Sequence, residues 1–204
     1  MTTGARTAKG EATRARIVEA TADRILAAGL GGTSLDDVRA DTATSKSQLF
    51  HYFPGGKAEL VRAVVDLQGR RVLDAQRPAL DALDDWPSWE DWRSRLLAHY
   101  DAQHGWGCPI GSLATEAAAT DPVLAGELTA YLRDWAALLA AGVGRLRAAG
   151  HLRAEADPER LGVAVLAAVE GGLLLTRTEQ GLWPLEAALD GALAHLRSWA
   201  PAER

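Results

Sequence analysis

Between residues 33 and 57 the chain gathers side chains suited to gripping a nucleic acid. Lys46 and Gln48 are residue types that read base edges in a major groove, and Ser47, Tyr52 and the amine of Lys57 suit phosphate oxygens. His51 and Tyr52 stand on the same outward side as Lys46, Ser47 and Gln48 if the segment is helical. A second concentration of reactive types surrounds Cys108, which lies between Gly107 and Pro109 with His99 and His104 upstream. A thiol at a helix start tends toward the thiolate, so a Cys–His nucleophile is conceivable. No third orienting group and no oxyanion-hole motif accompanies it. Redox sensing or a buried, helix-capping thiol are the other readings of Cys108. His99, His104 and Glu116 lack a compact metal-ligand spacing, so neither metal nor cofactor is expected, and the chain does not read as an enzyme. Glu170 interrupts an apolar run at 161–175. A carboxylate there needs a partner, a ligand that is cationic or hydroxylated, or an exposed helix edge.

The elements that must hold these groups are helices. Alternating Val/Ile/Thr runs and Asn-Gly or Asp-Gly turns are missing, alanine and leucine dominate, and most prolines fall at plausible helix boundaries. The first helix is expected over 11–28, with Ile17, Thr21, Ile25 and Ala28 inward and Gly29 as its stop. Thr33-Ser34 caps a short helix holding Leu35 and Val38, residues 42–44 break it, and Ser45 caps another with Leu49, Phe50 and Phe53 inward. Pro54-Gly55-Gly56 interrupts, and a longer helix follows at 57–75 with Leu60, Val61, Val64 and Leu67 on its apolar face. Five more are expected at 88–104, 109–119, 122–149, 158–180 and 184–199. Asp121-Pro122 and Asp157-Pro158 make strong starts. The fold class is therefore all-α, with about nine helices and no solenoid repeat. Two short capped helices around a three-residue turn have the layout of a helix-turn-helix, and Arg6, Lys9, Arg14 and Arg16 suggest a flexible basic arm ahead of it.

Composition narrows the class. The chain has 204 residues, 48% hydrophobic and 24% charged, which excludes a disordered tail or a fibre. A single cysteine excludes a disulfide framework and fits a reducing cytoplasm. No secretory signal is visible, and the longest near-apolar stretch, 161–176, contains Glu170 and falls short of a bilayer span. The net charge is −5, yet residues 1–70 hold ten Lys/Arg against eight Asp/Glu while the remainder holds twelve against nineteen. A mildly basic end on an acidic body suits a DNA-binding module joined to a domain with another task.

The segment 17–57 resembles the N-terminal domain of TetR-family transcriptional regulators. Ile17-Val18, Ala20, Gly29, Thr33-Ser34, Asp37-Val38, Ser45-Lys46 and the run LFHYFPGGK, ending at Lys57, fall at that family's spacing. The resemblance implies that Ser45, Lys46, Ser47 and Gln48 begin the recognition helix. His51, Tyr52 and Lys57 would then touch the DNA backbone, with Thr33 and Ser34 at phosphates ahead of it. Ala43 stands where the family has its turn glycine and Arg24 where an apolar residue is common; a turn of different geometry is expected at Ala43, because alanine tolerates the left-handed region poorly. The doubled glycine at 55–56 and the run GCPIGSLATE at 107–116 resemble the LmrA/YxaF subgroup, similar to multidrug- or flavonoid-responsive repressors.

Residues 1–56 thus read as the DNA-binding domain and 57–204 as a helical ligand-binding and dimerisation domain. Six of seven tryptophans lie in 86–183. Trp89, Trp92, Leu96 and Tyr100 fall roughly along one helix face, and Tyr131 and Trp135 stand four apart on another. With Cys108, Leu113 and Glu170 they are the candidate lining of a small-molecule pocket, which the resemblance places among helices four to eight; a tryptophan-rich core is the other reading. The last two helices offer Leu161, Val165, Leu166, Val169, Leu173 and Leu174, and Leu185, Leu189, Leu193 and Leu196, expected to pair with a second copy in a four-helix bundle. The expectation is a homodimeric repressor on a palindromic operator in double-stranded DNA, released by a small effector, without a membrane partner. A redox- or protein-contact-controlled regulator and a Cys-dependent helical enzyme are the rivals.

Overall fold

The computed structural model describes residues 8–103 and 107–202. Among these the chain forms α1 (Ala8–Ala28), α2 (Leu35–Thr42), α3 (Lys46–Tyr52), α4 (Gly56–Asp74), α5 (Trp86–Gln103), α6 (Pro109–Ala118), α7 (Pro122–Ala148), α8 (Pro158–Glu179) and α9 (Trp183–Arg197), with one 3-10 turn at Ala79–Ala82 and no strand. The all-α expectation holds, and the helices lie within about two residues of their expected limits apart from the start of α1. The chain divides into two compact units. One is Met1–Arg70 with Leu113–Ala125; the other is Arg71–Ser112 with Gly126–Arg204. The chain passes from one to the other within α4, α6 and α7.

In the first unit α1 buries Ile17, Val18, Thr21, Ala22 and Ile25; Ala28, expected on this stripe, is exposed. The basic arm is not observed beyond residue 8: Lys9, Arg14 and Arg16 belong to α1, and Arg6 lies outside the described residues. The Arg14 guanidinium covers the Phe53 ring at 5.0 Å, and Arg16 donates to the Thr42 carbonyl. Arg24 grips Asp41 through Nε and Nη2 at 2.6 and 3.0 Å, and approaches Asp37 at 3.8 Å. That explains a cation at a usually apolar position: it fastens α1 to α2. The Arg24 hydrogen bond holds the Asp41 carboxyl below the usual carboxylate range.

In the second unit α8 and α9 pack along one another. Leu161, Val165, Val169 and Leu173 are sealed together with Leu185, Leu189, Leu193 and Leu196, none more than 4% exposed. These eight were expected to face a second copy. They instead form the subunit's own core, because α8 carries two apolar rows and the row nearer α9 is satisfied internally. The outer face holds Val163, Leu174 and Leu175, with Trp183 at the start of α9, all more than half exposed. Helix α8, with 22 residues, is also long and apolar enough to cross a membrane, longer than the 161–176 stretch suggested; its inner row is the α9-packing row.

Candidate nucleic-acid interface

Serine caps build the local geometry. The Ser34 hydroxyl accepts from the Asp37 amide at 3.2 Å, while the Asp37 carboxylate accepts from the Ser34 amide at 3.0 Å. Ser45 and Gln48 repeat the device on α3, with Gln48 N–H to Ser45 Oγ at 3.2 Å and Ser45 N–H to Gln48 Oε1 at 3.1 Å. Two capping boxes eleven residues apart in their helix starts thus define both helices before any tertiary contact. Between them Ala43 lies at φ 48°, ψ 39°, and its amide and that of Thr44 close α2 onto Ala40 and Arg39. The turn therefore keeps the left-handed geometry despite its alanine, contrary to expectation. Thr42 and Thr44, both buried, exchange a hydroxyl hydrogen bond at 2.8 Å that supports it. Ala43→Gly is expected to raise stability by about 0.5–1 kcal/mol, read as a higher urea midpoint with an unchanged slope.

Helix α3 is divided cleanly. Leu49 and Phe53 are fully buried. Lys46, Ser47, Gln48 and His51 are exposed, Tyr52 is half-buried, and the His51 and Tyr52 rings meet edge to face at 5.1 Å. Phe50, expected inward, is 40% exposed, since one residue after Leu49 is a 100° step around a helix. Ser34 and Ser45 are exposed but act as caps.

Two expected phosphate contacts lie elsewhere. Thr33 is 3% exposed and its hydroxyl donates to the Gly29 carbonyl at 2.9 Å, so it closes the α1–α2 corner. Lys57 is half-buried, with Nζ donating to the Leu30 carbonyl at 2.9 Å. Both are tertiary choices that spacing along the chain does not encode.

The candidate ligand residues separate similarly. In the second unit Trp89, Trp92, Leu96, Tyr100, Cys108 and Trp135 are buried, and Tyr131 is half-exposed; Leu113 is buried in the first unit. The Trp92 indole N–H donates to Gln76 Oε1 at 3.0 Å, and Gln76 Nε2 donates to the Val72 carbonyl at 2.7 Å. Gln76 is wholly buried and escaped sequence reading, since a lone glutamine after a helix carries no pattern. Trp89 Nε1 and Trp135 Nε1 are buried without hydrogen-bond partners among the described residues.

Tyr100, Cys108 and Glu170 form one electrostatic cluster. Burial, then the neighbouring Glu170, pushes the Cys108 thiol well above its ordinary value; burial, then Cys108 and Glu170, does the same to the Tyr100 phenol. The thiolate expected at this helix start is therefore disfavoured, because desolvation outweighs the Gly111 amide that donates to Sγ at 3.3 Å. His104 lies outside the described residues. Glu170 is raised by burial, partly offset by its bond to Cys108, and its Oε1 is buried without a hydrogen-bond partner among the described residues. Gly111 makes room for it: a Cβ there would fall 2.3 Å from Glu170 Oε2. A raised carboxyl means the folded state holds its proton to higher pH than the unfolded chain, so stability falls as pH rises past the ordinary glutamate range. Glu170→Gln is accordingly expected to raise the melting temperature at about pH 8 and to change it little at about pH 4.

Residues 89–190 match the C-terminal domain of LmrA/YxaF-like transcriptional regulators. Over 188 residues the chain is 30% identical to an uncharacterised HTH-type transcriptional regulator of Mycobacterium tuberculosis, covering 85% of this chain and 88% of that one. It is 24% identical to the HTH-type transcriptional regulator LmrA of Bacillus subtilis over 177 residues, 84% and 90% of the two chains. A crystal structure of a TetR transcriptional regulator from Chloroflexus aurantiacus superposes with a TM-score of 0.81 at 26% identity, covering 95% and 98%.

Proposed function

The chain belongs to the TetR family of helix-turn-helix transcriptional regulators, in the LmrA/YxaF-like group, and is a DNA-binding regulator and not an enzyme; from this premise we propose that it is a cytoplasmic homodimeric repressor, released from a palindromic operator by a small hydrophobic or aromatic molecule. The observation that carries the reading is the division of α3, with Leu49 and Phe53 locking the helix from within while Lys46, Ser47, Gln48 and His51 stand open. Ser45, Lys46, Ser47 and Gln48 lead into the major groove, and His51 and Tyr52 approach the backbone. Two-fold pairing presents this edge twice, to half-sites about 34–36 Å or a multiple apart. The effector binds in the second unit among the aromatic residues around Trp92, Tyr100 and Trp135, with Glu170 as the polar anchor. Helix α4, shared by both units, carries the change, and the ligand acts only through its differential affinity for the two dimer states.

Gln48 supplies the test. Its carbonyl oxygen serves the Ser45 cap, leaving Nε2 for DNA. Gln48→Glu keeps a side-chain oxygen for the capping box but removes that donor and adds a negative charge. The expected result is unchanged helix content with altered preference at one or two base positions, about 1–3 kcal/mol each, measured by competition among operator variants. Binding indistinguishable from the parent's would remove α3 from the groove. The release step is tested with quercetin in the same assay; undiminished operator affinity at saturating quercetin, for this and other aromatic probes that bind the protein, would refute it.

A further inference from the structure

A cavity of about 640 Å³ opens within the first unit, and its lining includes none of the aromatic cluster. Leu30, Ala58, Val61 and Leu124 give it apolar walls, and Lys57 and Glu116 also line it, each bonded to Leu30. Its size is that of a small-molecule site. Leu30 is held at both backbone atoms by side chains that line the space. Its amide donates to Glu116 Oε2 at 2.7 Å, and its carbonyl accepts from Lys57 Nζ at 2.9 Å. The two carboxylates of the lining are already met by backbone donors. Glu116 takes the Leu30 amide, and Asp121 Oδ1 takes the amides of Val123 and Leu124 at 3.1 and 3.0 Å, capping α7. Lys57 is in the opposite position. Its ammonium has three donors, one engaged by a neutral carbonyl, and it forms no ion pair among the described residues. An ammonium with free donors beside apolar walls favours an anion, whose hydrogen bonds there would be charge-assisted.

We propose that this cavity is a ligand site separate from the aromatic cluster, for an amphipathic carboxylic acid whose carboxylate seats on the Lys57 ammonium and whose apolar tail lies along Leu30, Val61 and Leu124. The carboxylate competes with the Leu30 carbonyl for Lys57. Leu30 precedes the buried Thr33 and the Ser34 cap of α2, so occupation bears directly on the corner that sets the helix-turn-helix. The site does not depend on the interior effector reading, and its test reads binding alone.

Titration calorimetry of the whole protein with sodium decanoate tests it, with decanol and decylammonium chloride as probes of equal tail length. Saturable decanoate binding is expected, at least about ten-fold tighter than either analogue. Lys57→Met should weaken it by at least about ten-fold. Ala58→Trp, which fills the cavity from an exposed α4 position, should abolish it while circular dichroism stays that of the parent. No saturable binding, equal binding of decanol or decylammonium, or decanoate binding that survives Lys57→Met would each overturn the proposal. Should Ala58→Trp perturb folding, the Lys57→Met comparison decides alone.

Discussion

Leu174→Asp is expected to turn the proposed dimer into a folded monomer and to lower operator affinity by at least about 100-fold. Leu174 is 64% exposed on the outer row of α8, beside Leu175 and in line with Val163 and the small Ala167 and Gly171. Trp183 adds an exposed indole at 62%. The inner row is saturated by α9, so in the proposed dimer this outer face is the one left for a second copy, and its small residues permit close helix approach. An aspartate there places an unpaired charge in an apolar contact, while in the monomer it sits in water and changes stability by under about 0.5 kcal/mol. In the proposed dimer each subunit holds one half-site, and joining them makes the second binding event intramolecular; losing the pair loses that gain. Light scattering and a DNA titration on one preparation check both halves. A persistent dimer would move the interface elsewhere, and a monomer binding like the parent would remove the need for pairing.

The second large effect concerns stability. Trp89→Ala is expected to cost about 3–5 kcal/mol, a large share of the total for a domain of this size. Trp89 has no exposed surface and lies edge to face against Trp92 at 5.7 Å. Its ring fills a notch on α7 that exists because residue 142 is glycine. A Cβ at Gly142 would meet Leu83 Cβ at 2.7 Å and the Trp89 ring at 3.1 Å. Deletion of the indole removes apolar burial and leaves a cavity that a rigid α5–α7 contact cannot collapse into. Gly142→Ala is the complementary change. Alanine normally favours a helix interior, yet here the clash should reverse the sign. Thermal unfolding of both variants measures this; a Trp89→Ala protein as stable as the parent would show that the indole does not organise the core.

What the chain's pattern revealed follows from locality. Ser34 with Asp37, Ser45 with Gln48, and Asp157 ahead of Pro158 are signals within four residues, and the helices they start lie close to where those signals put them. The 3-10 turn at Ala79–Ala82 was missed because Pro78 offers no side-chain cap and Ala-Leu-Asp-Ala has no distinctive period. Thr33 and Lys57 carry the right chemistry for phosphate, but whether a hydroxyl or an ammonium turns inward depends on carbonyls at Gly29 and Leu30, set by the end of α1. Ala43 shows tertiary support overriding a local preference, with the buried Thr42–Thr44 pair behind it. The two rows of α8 have the same periodicity, so period alone does not say which row meets α9.

Selection of bound fragments from random-sequence DNA, with sequencing of the survivors, decides whether paired α3 helices read an operator. An inverted repeat whose half-site centres stand about 34–36 Å or a multiple apart should be enriched, and lost together with binding in Leu174→Asp. Enrichment of a single asymmetric site, bound equally by the Leu174→Asp monomer, would contradict paired reading.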